Sequence, residues 1–288
     1  MAVSTVIGVD IGGTKSALGL YEIPGFKLIT SEKFSTDAAR GFPAILKDVV
    51  TRAEAMRRPD TVGIGIGVPG LVSQAAGVIK RLPNIPNGND FPLKEHVEHA
   101  LKMKVSVDND SNCFTLGEAL EGAGTGEPVV IGITLGTGVG GGIVIDGKLY
   151  HGAEGFAGEF GHALLLPGDP PVEDGNTRGE VEQFLSGSAM HRRCTAAKKP
   201  EDLLEGEACA FLHPEIVREA AWLCASLTHI LNPSVIVFGG STGRALKTYL
   251  HAIEEELTAW ILPGTPLPRL AIGKLSDAAT RGAAMLVQ

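Results

Sequence analysis

Cysteine is sparse in this sequence and follows no motif. Cys113, Cys194, Cys209 and Cys224 are scattered, with no C-x-x-C pair. Neither a disulfide framework nor a cysteine-rich metal site is therefore expected, and a reducing cytoplasm is the simple reading. Long apolar runs are missing too. No stretch reaches the roughly 18 apolar residues that a spanning helix needs, so no membrane partner is expected. The N-terminus has no basic segment followed by an apolar run, and no signal peptide is read. Basic residues are outnumbered: the net charge is −8 at pH 7. No basic face offsets that acidity, which argues against nucleic acid as a partner. The P-loop pattern G-x-x-x-x-G-K-[ST] is absent as well.

What the chain does have is apolar residues and clustered glycine. Of 288 residues, 44% are hydrophobic, enough for one large domain or two modest ones. Thr5–Asp10 and Ser16–Tyr21 read as a β-hairpin around a glycine turn. Val62–Val68 and Val105–Asp108 read as strands, and Phe42–Met56 and Phe91–Leu101 as helices. Ser111–Glu121 reads as a helix with Ser111 as N-cap. Val129–Leu135 and Ile143–Ile145 read as strands joined by a GTGVGGG turn, a weak repeat of the first hairpin. His213–Leu231 and Leu246–Trp260 read as helices flanking the strand Val235–Phe238, and Ala279–Val287 as a last helix. Alternating strands and helices define an α/β class with mainly parallel central strands. The duplicated hairpin points to two similar domains facing each other across a cleft.

The chemistry-bearing residues gather at the glycines. In Asp10-Ile11-Gly12-Gly13-Thr14-Lys15, turn N–H groups are suited to phosphate oxygens, and Asp10 to Mg²⁺ through water. The alternative is an ordinary hairpin turn. The run Gly136–Gly142 costs chain entropy, a cost that makes sense if backbone wraps a ligand. Together the two hairpins are fitted to clamp a triphosphate. Asp108-Asn109-Asp110 lies where a strand ends and a helix begins, the position where open α/β sheets bind ligands. A carboxylate there can take a proton from a hydroxyl during phosphoryl transfer, or it can simply cap the helix. Spacing does not choose between Asp108 and Asp110. Asn109 is suited to a neighbouring hydroxyl. Glu159 and His162, in GFAGEFGH, suit sugar hydroxyls; a surface acid and a packed histidine are the plain alternative. Glu182 opens a helical run and reads equally as a solvent-facing charge. Gly239-Gly240 ends a strand in a turn that can pass close to a base or ribose.

Read together, GVDIGGTK (Gly8–Lys15), VPG (Val68–Gly70), DNDSN (Asp108–Asn112), GITLGTGVGGG (Gly132–Gly142), AGEFGH (Ala157–His162), E-x-x-x-S-G (Glu182–Gly187) and NPSVIVFGG (Asn232–Gly240) resemble the ROK family, whose name stands for repressors, open reading frames and kinases. These motifs occur in the family's order and span nearly the whole chain. The resemblance implies an actin-like ATPase (ribonuclease H-like) fold of two domains flanking a cleft that holds sugar and ATP. One domain is expected over residues 1–108 plus a returning C-terminal helix, 277–288, and the other over 109–276. Carried over residue by residue, Asp110 becomes the catalytic base. Asn109, Glu159, His162 and Glu182 fall on sugar-binding positions, with Gly70 as a backbone contact and Asn84 a further candidate. Asp10, Gly12, Gly13, Thr14 and Lys15 match the first phosphate motif, Thr137 and Gly138 the second, and Gly239 and Gly240 the turn near adenosine.

One departure concerns metal. Many members carry a cysteine-rich zinc motif just before the glutamate that matches Glu182. Here the stretch is EDGNTRGE, Glu173–Glu180, so zinc is not expected, while ATP and Mg²⁺ are. The implied activity is phosphorylation of a hexose at its 6-hydroxyl, with glucokinase leading and N-acetylglucosamine or N-acetylmannosamine kinase as alternatives. A sugar-sensing regulator of the same family carries a helix-turn-helix ahead of DIGGTK; that motif starts here at residue 10, and no such segment is expected. A homodimer in the cytoplasm completes the expectation.

Overall fold

The computed structural model describes residues 4–172, 175–198 and 202–288. Strand β1 (Ser4–Ile11) carries the β-branched run and is buried on both faces, as a central strand requires. It turns through Gly12–Thr14 into β2 (Lys15–Ile23), which pairs with β3 (Lys27–Ser35). Helix α1 (Phe42–Met56) leads to β4 (Thr61–Val68). A small hairpin follows, β5 (Leu71–Ser73) and β6 (Val78–Arg81), then α2 (Leu93–Leu101), β7 (Lys104–Asn109) and α3 (Asp110–Glu121). The sheet order is β3-β2-β1-β4-β7. The β1–β2–β3 part is antiparallel, whereas β1, β4 and β7 are parallel. One sheet face packs on α1 and α2 through Phe42, Ile45, Val49, Leu93 and Val97 against Ile7, Val9, Ile64 and Ile66.

The later chain repeats the plan. Strand β8 (Val129–Leu135) forms a hairpin with β9 (Val139–Ile145), and β10 (Lys148–Leu149) edges it. Helices α4 (Val181–Leu185), α5 (Gly187–Arg193), α6 (Asp202–Glu205) and α7 (His213–Leu231) precede β11 (Val235–Gly239). Then come α8 (Gly240–Ala245), α9 (Leu250–Thr258), β12 (Arg269–Ile272) and α10 (Ala278–Met285). The order β10-β9-β8-β11-β12 matches the first sheet strand for strand: an antiparallel hairpin, then two parallel partners. Two compact units result. One contains residues 1–117, 149–157 and 275–288; the other contains 118–148 and 158–274.

Helix α10 covers the second face of the first sheet at backbone distance. Gly8 and Gly65 are partners in register. A Cβ on Gly8 would run into the Thr280 carbonyl, and one on Gly65 into the Ala283 carbonyl. From the helix side, a Cβ on Gly282 would strike the Cys113 carbonyl in α3. Tyr21 locks this seam: its hydroxyl bonds Thr280 Oγ1 at 2.7 Å and Asp277 Oδ2 at 3.1 Å. In the second unit, Arg193 at the end of α5 is almost buried and donates to both Glu219 oxygens at 2.8 Å and to Glu215 at 2.9 Å. That fork ties α5 to α7.

Several sequence expectations change. Helix α3 starts one residue early and is not capped by Ser111. The side-chain Oδ1 of Asn109 accepts from the N–H groups of Ser111 at 2.8 Å and Asn112 at 3.3 Å. The GTGVGGG segment is only partly a turn, because β9 begins at Val139 and its Gly141 packs under Phe160 and the Gly158 carbonyl. Those glycines serve close packing within a strand. Leu246–Trp260 is a 3-10 turn (Leu246–Tyr249) followed by α9; over one turn the two helix periods are too similar to separate by pattern. The cysteine reading is overturned. Cys194 and Cys209 form a disulfide with Cα atoms 6.0 Å apart, while Cys113 and Cys224 are buried free thiols. A 15-residue separation carries no motif, and only folding brings the end of α5 beside Cys209. The pair removes the cysteine-based argument for a reducing compartment. Among the described residues, no helix is long and apolar enough to cross a membrane.

The α10 seam makes a direct prediction. Gly65→Val should lower unfolding stability by about 1–3 kcal/mol, because a packed backbone cannot yield the volume. Gly13→Ala, at an exposed turn position with no atom within 4 Å of an added Cβ, should stay within about 0.5 kcal/mol of the parent. Urea denaturation of both variants measures this, and equal midpoints would contradict it.

Candidate functional site

Register decides what meets at the carboxyl ends of β1, β4 and β7. Asp10 stands opposite Gly67, and Gly67 opposite Asp108, with Val68 opposite Asn109. Asp10 is thereby brought beside the turn into α3. After it, Gly12 N–H donates to the Lys15 carbonyl at 3.1 Å, which closes the turn and leaves Gly13, Thr14 and Lys15 exposed. Thr36 braces this loop: its hydroxyl donates to the Gly12 carbonyl at 2.7 Å and its N–H to the Thr14 carbonyl at 2.9 Å. Gly70, just past β4, has φ 82°, and a Cβ there would strike the Arg81 carbonyl. Asn109 Nδ2 donates to the Gly70 carbonyl at 3.0 Å. One side chain thus caps α3 and ties it to the β4 turn. Asn84 is exposed in the segment after β6.

The three aspartates of this region have different fates. Asp108 is 2% exposed and committed inward. Its Oδ1 accepts from Asn109 N–H and Asn112 Nδ2, each at 2.8 Å, and its Oδ2 lies 2.6 Å from His151 Nε2. Asp110 is half-buried at the first turn of α3 and accepts from Ser111 N–H at 2.8 Å. Burial raises its pKa, and the bonds from Ser111 oppose the rise without cancelling it. Asp10 is pushed up to about 7, by burial first and by the charge of Asp110 second, with Lys33 pulling the other way. Two neighbouring carboxylates whose pKa values burial raises form an arrangement suited to handling protons. Sequence spacing left Asp108 and Asp110 equivalent; burial separates them, because Asp108 is enclosed by its donors.

In the second unit the glycine turns again lie at strand carboxyl ends. Gly136 N–H donates to the Gly138 carbonyl at 3.0 Å, and Gly187 N–H to the Gly136 carbonyl at 2.7 Å, leaving Thr137 exposed at the tip. Glu182, in the first turn of α4, accepts from Val139 N–H at 2.8 Å. It is a brace for the β8–β9 turn, not a solvent-facing helix charge. Gly239 pairs with Thr134. Gly240 has φ 77°, and a Cβ on it would hit the Leu135 carbonyl, so α8 starts tight against the end of β8.

Glu159 precedes the 3-10 turn Phe160–His162, where His162 N–H donates to the Glu159 carbonyl at 3.1 Å. The His162 ring is 56% exposed, and its Nδ1 lies 3.3 Å from Glu180 Oε2. Glu180 is buried, meets Arg178 Nη1 at 2.7 Å and forms a capping box with Gln183 at the start of α4. Sequence reading singled out neither Glu180 nor His151. The E-x-x-Q spacing of the box is a usable signal for the first, whereas nothing local marks His151. Among the described residues, no group of three or more His, Cys, Asp or Glu side chains is arranged to hold a metal. Of the segment expected to replace a zinc motif, Glu173 and Asp174 lie outside the described residues.

Comparison with known proteins places this geometry in a family. A glucokinase of Halalkalibacterium halodurans is 33% identical over 287 residues, covering 89% of this chain and 86% of that protein. An N-acetyl-D-glucosamine kinase of Citrobacter koseri is 34% identical over 302 residues, covering 97% of this chain and 98% of that protein. Among solved structures, a ROK family glucokinase from Streptomyces griseus in complex with glucose and AMPPNP matches with a TM-score of 0.84 and 29% identity, over 99% of both chains. Such ROK sugar kinases have the actin-like ATPase fold, and the paired five-stranded sheets described above are built on that plan. A model of the ROK family matches residues 6–288, so the repeated sheets and the glycine turns at their strand ends are those of a chain that belongs to the ROK family.

Proposed function

We propose that this protein is an ATP-dependent hexose kinase that phosphorylates the sugar's 6-hydroxyl, with glucose as the preferred acceptor. The observation that carries the reading is the contrast at the β7–α3 turn. Asp108 is enclosed by three donors, whereas Asp110 is half-buried, with its pKa raised by burial. Such a carboxylate is a better base than an ordinary aspartate, because burial has raised its pKa. Asp110 takes the proton of the 6-hydroxyl as that oxygen attacks the γ-phosphorus and the bond to the β-phosphate oxygen breaks.

The remaining residues bind and orient. Asn109, Glu159, His162 and Glu182 take the sugar hydroxyls, with the Gly70 backbone and Asn84 as further contacts. Gly13, Thr14 and Lys15, on the turn that Gly12 closes, and Thr137 and Gly138 offer N–H and side-chain donors to phosphate oxygens, where charge grows in the transition state. Gly239 and Gly240 pass beside the adenosine. Asp10 fits Mg²⁺ through water, since its carboxylate, with the charge of Asp110 acting on it, offers hard oxygen donors for such an ion. Mg²⁺ bound with the nucleotide supplies charge neutralisation on the phosphates. No zinc enters this reading, because the stretch Glu173–Glu180 has no cysteine and His162 lies beside the Glu180 carboxylate.

Glucose is supported by the names of the glucokinase relatives. A second reading, an N-acetylglucosamine kinase, is supported by the names of relatives of similar identity. A site that hydrogen-bonds each hydroxyl rejects analogues that leave a buried partner unpaired. Comparing kcat/KM for glucose, N-acetylglucosamine and N-acetylmannosamine should show glucose ahead. A tenfold preference for an acetylated sugar, about 1.4 kcal/mol in transition-state binding, would replace glucose and leave the kinase standing.

Asp110→Asn should lower kcat by about 10²–10⁴-fold, the usual contribution of a positioned base, while calorimetry shows sugar binding retained. Turnover within a few-fold of the parent would remove Asp110 from the role. The pH profile gives an independent check. A base works unprotonated, so activity should be full above its pKa and lost below it. With that pKa raised, the acid limb of kcat/KM should lie above the ordinary aspartate range of about 3.9. An acid limb at or below that value would contradict the burial argument.

A further inference from the structure

The segment between β10 and Gly158 belongs to the first unit although unit-two chain flanks it on both sides. It folds on itself through Ala157 N–H, which donates to the His151 carbonyl at 3.0 Å. At Gly155 it lies against the Val72 carbonyl of β5. Its His151 ring points inward, and Nε2 stands 2.6 Å from Asp108 Oδ2.

Asp108 is the junction of three elements. Its own strand supplies the Asn109 N–H, α3 supplies Asn112 Nδ2, and the 149–157 segment supplies the imidazole. Asn109 and Asn112 are also the residues that make the cap of α3. Any shift of the Asp108 carboxylate is therefore passed to the turn that carries Asp110. Asp10, Asp108 and Asp110 all act electrostatically on buried Cys113, so three carboxylates share one poorly solvated region. Lys33 acts on Asp10, and His151 is the group bonded to Asp108. That bond raises the His151 pKa against the opposing pull of burial.

We propose that His151 is a positioning residue for Asp110: bonded to Asp108, its ring holds the β7–α3 turn in the arrangement that presents the Asp110 carboxylate to the acceptor hydroxyl. The proposal rests on the kinase reading above. His151 acts through Asp108 and not by touching the sugar or the nucleotide. A carboxylate–imidazole bond is the device by which a buried acid is held against rotation, and misplacement of a reacting group by about 1 Å costs on the order of 10²-fold in rate.

The test uses the full chain with His151→Ala and His151→Gln, since a glutamine amide can donate from the place of Nε2 without charge. Steady-state kinetics with glucose and ATP should show kcat of His151→Ala reduced about 10- to 100-fold, with KM for ATP nearly unchanged, and most of the loss restored in His151→Gln. In ¹⁵N–¹H spectra, the amides of Asn109, Asp110 and Ser111 should move in His151→Ala and return in His151→Gln. A His151→Ala enzyme with parental kcat would overturn the proposal. So would unmoved amides, or a loss that glutamine does not rescue and that follows only the thermal melting point. If the parent phosphorylates no sugar, the kinase reading fails by that result. The amide shifts then still report whether His151 holds the turn.

Discussion

The contact of α10 with the first sheet is made backbone to backbone, and the arrangement around Asp10 and Asp110 depends on it. Gly8 and Gly65 stand side by side on β1 and β4, and Gly282 faces α3 from the helix. One helix thereby grips two parallel strands and the helix that follows the third. The strands can then end in register, with Asp10, Gly67 and Asp108 in a row. Side chains at these glycines would separate the layers by the width of a methyl or more, and packed interiors have no free volume to absorb that. The Tyr21 bonds to Asp277 and Thr280 fasten the same seam at its edge.

With that frame in place, three aspartates within one small region acquire three characters. Asp108 is surrounded by donors and serves the structure. Asp110, held at the first turn of α3, keeps a raised pKa from burial. Asp10 is raised by burial first and by the neighbouring charge of Asp110 second. Like residues diverge because the cost of ionisation depends on what replaces water around each one.

The second unit applies the same economy of backbone. Glycines in β9 let the Phe160 segment lie close on the sheet, and Glu182 braces the turn from β8 to β9. Glu180 is the hinge of the region: one buried carboxylate caps α4 and meets both His162 and Arg178. Removing one partner from a buried charged group leaves the other unpaid in solvation, so these contacts hold as a set. The Arg193 fork onto Glu215 and Glu219 follows the same logic between α5 and α7.

Much of this was legible in the chain. The β-branched runs, the helical spacing of Phe42–Met56 and His213–Leu231, and the two glycine hairpins marked the α/β class and its internal repeat, because period and turn chemistry are local properties. The ordered motifs identified the family, and with it the fold. Other features are products of tertiary structure. Spacing left Asp108 and Asp110 equivalent and the family resemblance alone singled out Asp110; the difference in their surroundings comes from burial, which belongs to the whole sheet. The capping role of Asn109 was masked by a serine of equal local propensity two residues on. His151 reaches Asp108 across 43 positions, and the Cys194–Cys209 pair closes across 15. No spacing rule anticipates either contact, since both exist only after packed elements bring distant residues together.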